Sequence, residues 1–185
     1  MALKPERLLA VLIVLGVGAV MVAVVAMATA GPAPAAAPDA SGGPVGPVER
    51  GRVVRVADGD TITMEIGARR ERVRYVGVDA PEVANPGSGS PAECGADAAT
   101  AANNDLVENA ELVLERDATD RDRFGRLLRH PWIVVDGEWL HVSEELVRIG
   151  AIEARTFEPD TLHDRRLDRA ERVARAAGEG IWGNC

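Results

Sequence analysis

The chain has 185 residues, enough for one domain of ordinary size plus an appendage, and 29 acidic residues against 21 Lys and Arg give a formal net charge of −8. That balance excludes a uniformly basic surface of the kind that attracts polyanions at long range, so any such ligand must depend on a local patch. Two cysteines, Cys94 and Cys185, are too few for a disulfide-rich framework or a cysteine-based metal cluster.

The first element is apolar. No charged residue occurs from Leu8 to Ala30, a run longer than the roughly 20 residues that cross a bilayer as a helix. Lys4 and Arg7 precede it and the next positive charge is Arg50, which puts the N-terminus in the cytoplasm and the remainder outside. Two readings stay open for residues 1–30: an uncleaved transmembrane anchor, or a signal segment cut after the small residues "ATA" at 28–30. Residues 31–49 are rich in Pro, Ala and Gly, cannot bury enough apolar surface to repay ordering, and read as a tether. The folded domain is expected over 50–185. With an even cysteine count in an oxidising compartment, Cys94 and Cys185 are expected to pair.

Three β-segments follow. Val53, Val54 and Val56 open the first, Ile62, Met64 and Ile66 alternate in the second, and Val73, Tyr75, Val76 and Val78 mark the third, with turns at Asp58-Gly59 and Gly67. The Ala-rich stretch from Gly95 to Asn109 suits a helix, "ELVLERDA" a strand, and "RLLRHPWIVVDGEWL" a hairpin turning at Asp136-Gly137. A helix over 142–149 closes at Gly150, and a last, charged helix begins with Thr161 and Asp164 and stops at Gly178. Five short strands interleaved with a few helices predict a small β-barrel of the α+β class.

"VADGDTITMEIGARRERVRYVGVDAPE" brings Asp60, Arg74 and Asp79 into one β-rich segment. Taken singly, each has a plain explanation: Asp58 and Asp60 can shape a turn, Arg74 can pair with Glu65 or Glu71, Glu82 after Pro81 can be a solvated loop residue, and "DRDRFGR" can be a charged turn. The histidines, His130, His141 and His163, are scattered and have no metal-ligand spacing. Trp132, Trp139 and Trp182 read as core or rim packing. From residue 50 onward 19 Arg face 26 Asp and Glu, so the candidate basic patch is local: Arg69, Arg70, Arg72, Arg74, Arg123, Arg126 and Arg129.

Three blocks in order, "DGDT" at 58–61, "VRYVGVDAPE" at 73–82 and "DRFGR" at 122–126, resemble the signature of the staphylococcal-nuclease-like (thermonuclease) family. "CGADA", "ELVRIGAIEAR" and the terminal "IWGNC" extend the resemblance over nearly all of 50–185. It implies a five-stranded barrel of the oligonucleotide-binding (OB-fold) type with three helices, acting as a monomer on single-stranded or frayed DNA and RNA. It also implies hydrolysis of phosphodiesters with Ca²⁺, leaving 3′-phosphate ends. The metal ligands it implies are the carboxylates of Asp60 and Asp79 and the backbone carbonyl of Ala80, where family members usually have Thr. The catalytic residues it implies are Arg74, Glu82 and Arg126. Phe124 stands where a tyrosine is common, and the loop after Glu82 lacks lysines, which bears on substrate affinity. The contrasting expectation is a non-catalytic nucleic-acid-binding barrel tethered at the cell surface.

The chemistry fits that residue set. A phosphodiester repels an incoming hydroxide, so a catalyst must neutralise the phosphoryl group and orient a water opposite the leaving oxygen. Oxygen ligands suit a hard cation, and two arginine forks can grip phosphate oxygens bidentately. Glu82, three residues after Asp79 across the stiff Pro81, can present a carboxylate from the same loop.

Overall fold

The structure is a computed structural model that describes residues 42–185; the expected anchor or signal segment over 1–30 and the first part of the tether lie outside the described residues. Among the described residues no helix is long and apolar enough to cross a membrane. The elements are β1 (Val48–Val56), β2 (Thr61–Ile66), β3 (Arg69–Tyr75), β4 (Val78–Asp79), α1 (Ala96–Val107), β5 (Glu111–Arg121), β6 (Leu127–Val135), β7 (Glu138–His141), α2 (Val142–Arg148), β8 (Glu153–Ala154), α3 (Asp164–Ala177) and a last short turn of helix, α4 (Ile181–Asn184).

Strands β3, β2, β1, β5 and β6 are hydrogen-bonded in that order, and a parallel β3–β6 pairing joins the two ends, so five strands close into a barrel. The closure runs Val73↔Leu127, Arg74↔Leu128 and Tyr75↔Arg129. Strand β1 serves both neighbours: its first half pairs with β5 and its second half with β2, with an irregularity between Val53 and Arg55. Strand β7 extends the sheet beyond β6 through the hairpin at Asp136-Gly137, where both residues take positive φ (52° and 85°) as a tight primed turn requires.

The period-2 pattern explains the interior. Ile62, Met64, Val73, Tyr75, Leu112, Leu114 and Leu127 point inward, while Glu65, Arg70 and Arg72 stay on the surface. Helix α1 packs through Ala96, Ala99, Asn103 and Val107, at helical spacing. Tyr75 is fully buried, and its hydroxyl donates to Asn103 Oδ1 at 2.9 Å, while Asn103 Nδ2 donates to the Asp58 carbonyl at 2.9 Å. That chain ties α1 to the turn between β1 and β2. Gly59 makes the same junction possible, since a Cβ there would sit 2.8 Å from the Cβ atoms of both Ala80 and Ala99.

Helices α2 and α3 lie where the sequence puts them, and Gly150 and Gly178 end them in the left-handed region. The start of α3 differs from expectation. Its N-cap is His163 without a side-chain cap bond, because the preceding loop is drawn onto β5: Leu162 N–H donates to Asp117 Oδ2 and His163 Nε2 bonds Glu115 Oε2. The tether also ends earlier than its composition implies. Strand β1 begins at Val48, and Val45 and Gly46 donate their N–H groups to Glu115 Oε1 at 2.6 Å each.

Cys94 and Cys185 are joined, closing a span of 91 residues and fastening the chain end to the segment before α1. Loop-closure entropy assigns such a bridge about 4 to 5 kcal/mol. Reduction should lower the urea midpoint accordingly, and an unchanged midpoint would deny the bridge a stabilising role.

Glu115 is wholly buried, and its carboxylate also accepts Trp132 Nε1–H at 2.8 Å. Burial alone would raise its pKa, but bonds donated by His163, Gly46, Val45 and Trp132 outweigh it and hold the group below the ordinary 4.5. A depressed carboxylate pKa contributes stability that is present above the unfolded value and lost as pH falls through the folded one. Stability should therefore decline as pH drops below 4.5, and Glu115→Gln should lower stability at neutral pH while flattening that acid slope in fluorescence-monitored unfolding.

Candidate active site

Barrel closure assembles the site from segments distant in sequence. Arg74 lies opposite Thr61 on β2 and opposite Leu128 on β6, so the end of β3 touches both the "DGDT" turn and the end of the "DRFGR" loop. Tyr75 N–H donates to the Asp60 carbonyl at 2.9 Å, pinning the turn to β3. Just beyond, the short β4–β8 pairing, Val78↔Ala154 and Asp79↔Glu153, holds Asp79 at the rim.

Asp60 is buried. Its Oδ1 accepts the Thr61 hydroxyl at 3.0 Å and its Oδ2 accepts the Ala80 N–H at 2.8 Å, so the first and second blocks are bonded directly. Arg74 ion-pairs with Asp60 and, through Nη2, with Asp79 Oδ1 at 2.7 Å. Burial pulls its guanidinium below the ordinary arginine range, partly offset by Asp79, and an arginine still stays charged at any working pH. The other Asp79 oxygen pairs with Arg155, an exposed residue from the loop after β8. Burial raises the Asp58 carboxyl, against opposing bonds from Thr61 and the charges of Arg74 and Arg126.

Arg126 is held by Asp122, which accepts Arg126 Nε–H at 2.7 Å on one oxygen and the backbone N–H groups of Phe124 and Arg126, at 2.9 Å each, on the other. Burial alone would raise the Asp122 carboxyl, but these bonds hold it below its ordinary value. Gly125, at φ 78°, lets the loop turn tightly enough for both ends to reach one carboxylate. Arg126 Nη1 also comes within 3.5 Å of the Thr61 hydroxyl. Glu82 is exposed and sits in a two-way backbone clasp with Glu93: its N–H donates to Glu93 Oε2 at 3.0 Å and its carbonyl accepts the Glu93 N–H at 2.9 Å. Glu93 directly precedes Cys94, so the clasp and the disulfide share one segment.

The result is a small polar cleft of about 110 Å³, lined by Asp58, Asp60, Arg74, Ala80, Pro81, Glu82 and Arg126. Asp79 is at its edge and also borders a neighbouring hollow of about 470 Å³ that Arg74, Arg121, Arg126, Arg155 and Phe157 share. All six residues singled out by the sequence thus surround one place. Around them Asp58, Asp60, Asp79, Glu82 and Asp122 face Arg74, Arg126 and Arg155, which leaves a formal excess of two negative charges. An all-oxygen donor set with that excess fits a hard divalent cation, with Asp60, Asp79 and the Ala80 carbonyl available to hold it.

Three expectations need correction. The basic patch is largely neutralised: Arg69 pairs with Glu71, Arg70 with Glu65, and Arg129 is buried between Glu49 and Asp120. Arg74 and Arg126 are the members that reach the cleft, and Arg74 pairs with neither Glu65 nor Glu71. The histidines are not scattered in space, because the fold gathers His130, His141 and His163 into one buried cluster. Sequence reasoning also left out Asp122 and Arg155, although both lie in quoted blocks. A carboxylate four residues before Arg126 was the available signal for the first. For Arg155 only the β4–β8 pairing reveals the partner.

A family model described as "Staphylococcal nuclease homologue" matches residues 72–184. The chain is 29% identical over 133 residues to a thermonuclease of Staphylococcus hyicus, covering 72% of this chain and 75% of that protein. It is 31% identical over 130 residues to a thermonuclease of Staphylococcus intermedius, covering 70% and 74%. It is also 37% identical over 130 residues to the endonuclease YncB of Bacillus subtilis, covering 69% and 59%. A match that takes in the end of β3, strands β5 and β6 and every helix of the described residues, together with three sequence blocks meeting at one cleft, makes the chain a nuclease of the staphylococcal nuclease family.

Proposed function

We propose that this nuclease is Ca²⁺-dependent, works outside the cytoplasm, and hydrolyses phosphodiesters of both DNA and RNA to leave 3′-phosphate ends. The observation that carries the reading is the convergence of Arg74, Arg126 and Glu82 on the cleft that also holds Asp60. When bound there, calcium supplies charge neutralisation of the phosphoryl group and polarisation of its oxygens. Asp60, Asp79 and the Ala80 carbonyl would hold it.

The remaining work falls to side chains. Arg74 and Arg126 present planar forks to the non-bridging phosphate oxygens, and Asp122 keeps the second fork aimed. Glu82 orients the attacking water opposite the leaving 5′ oxygen and takes up its proton. The adjoining hollow, with Arg155 stacked at 5.4 Å from the Phe157 ring centre, suits an unpaired nucleotide better than a duplex. Export through the apolar run at 8–30, retained as an anchor or cleaved near Ala30, puts the domain in a compartment that tolerates the Cys94–Cys185 bridge.

The test is hydrolysis of single-stranded DNA and RNA by the full chain with excess Ca²⁺ and then with chelator, beside an Arg74→Ala/Glu82→Gln double variant. Calcium-dependent cleavage that the variant lacks supports the reading; binding of nucleic acid without cleavage would make the domain a tethered binding module. Glu82→Gln alone should lower turnover by about 10² to 10⁴ while leaving calcium-supported nucleotide binding in place. Arg126→Lys keeps the charge but loses the fork, so most activity should disappear, and near-normal rates would remove Arg126 from the phosphate.

A further inference from the structure

Away from the cleft, three elements contribute one histidine each to a common point. His130 comes from β6, His141 from the junction of β7 and α2, and His163 from the N-cap of α3. One ring nitrogen of each lies within 4.8 Å of the other two. His130 and His141 are fully buried, and the His163 side chain is 10% exposed. The rings also meet as aromatic neighbours, His130 to His163 at 4.6 Å and His141 to His163 at 5.0 Å between centres. Trp132 walls the cluster, edge-on to His141 at 4.6 Å.

The outward nitrogens are fixed by carboxylates. His130 Nε2 bonds Asp117 Oδ2 at 3.0 Å and His163 Nε2 bonds Glu115 Oε2 at 2.8 Å. Each bond places a proton on Nε2 and leaves Nδ1 as the ring's lone-pair nitrogen. His130 Nδ1 and His141 Nε2 are buried with no hydrogen-bond partner. Among the described residues, Glu115 and Asp117 accept bonds from backbone N–H groups, the Trp132 indole and these histidines.

We propose that His130, His141 and His163 form a second metal site, distinct from the calcium cleft, that takes a first-row transition ion of the Zn²⁺ class. Neutral imidazole nitrogens backed by carboxylates are the donor chemistry such ions select, and a hard cation such as Ca²⁺ does not. Asp117 and Glu115, bonded to His130 and His163, add negative charge behind two of the rings. Zn–N bonds of about 2.0 to 2.1 Å in a tetrahedron put nitrogens about 3.4 Å apart, so the rings draw inward on binding. His141 changes most. Its Nδ1 now accepts the Glu144 N–H at 3.0 Å, so ligation through Nε2 moves its proton to Nδ1 and releases that helix-cap bond. The ion would bind β6, β7–α2 and the start of α3 into one unit on the side of the barrel where Glu115 also secures Val45 and Gly46.

Metal-stripped full chain titrated with Co²⁺ tests this, because cobalt held by three imidazoles in low coordination absorbs visible light far more strongly than octahedral cobalt on carboxylates and water. The expected result is one equivalent bound with the intense spectrum, displaced by Zn²⁺, unchanged in Asp60→Ala, and lost in His130→Ala and His163→Ala. Because those two variants empty a buried site and can misfold, Asp117→Asn provides the second arm. It leaves all three rings in place and should weaken Zn²⁺ binding about 10- to 100-fold. Zn²⁺ should also raise the melting temperature of the wild type. Only a weak octahedral spectrum that Asp60→Ala abolishes, or an affinity indifferent to Asp117→Asn, would overturn the site. Neither outcome bears on calcium-dependent cleavage, which is measured separately.

Discussion

The parallel pairing of β3 with β6 is the constraint on which the rest of the molecule depends. The open sheet order β3-β2-β1-β5-β6 would put Arg74 and Arg126 at opposite edges; the three paired positions Val73↔Leu127, Arg74↔Leu128 and Tyr75↔Arg129 make them neighbours. Closure also removes the two exposed strand edges and buries Val73, Tyr75 and Leu127 in one interior. The chemistry is thus a by-product of solving a packing problem.

The same economy governs charge. Bringing Asp58, Asp60 and Asp79 together in a partly buried cleft is costly unless cations accompany them, and Arg74 is shared between Asp60 and Asp79 for that reason. In this acidic domain the arginines that line the cleft and its hollow are each held by a carboxylate, Arg74 by Asp60 and Asp79, Arg126 by Asp122 and Arg155 by Asp79. Elsewhere on β3, Arg69 pairs with Glu49 and Glu71 and Arg70 with Glu65. Specific local grip replaces long-range attraction, so binding should lean on the cleft and on the Arg155–Phe157 hollow beside it.

Local pattern made much of this legible. Alternating apolar residues on β2 and β3, the Asp136-Gly137 turn and the glycines ending α2 and α3 each carry their structure within a few residues. The site residues were legible for another reason: their blocks resemble a known family, and no periodicity brings Asp60 to Arg126. What escaped was long-range. His130, His141 and His163 lie far apart along the chain and meet only because β6, β7 and α3 converge. Glu115, in the middle of an apolar-looking strand, gave no hint that it would organise Trp132, His163 and the residues before β1. The N-cap of α3 was misplaced by that same pull, since Thr161 and Asp164 satisfy a local capping pattern that contacts to β5 override.

Barrel closure as the maker of a single phosphate-gripping site is tested most directly by a double-mutant cycle on kcat/KM with Arg74→Ala, Arg126→Ala and the double variant, using one single-stranded substrate in saturating Ca²⁺. If both forks hold the same phosphoryl group, the double variant loses far less than the product of the two single losses. Losses that multiply as though the residues acted independently would mean that the closure joins two strands without building one site.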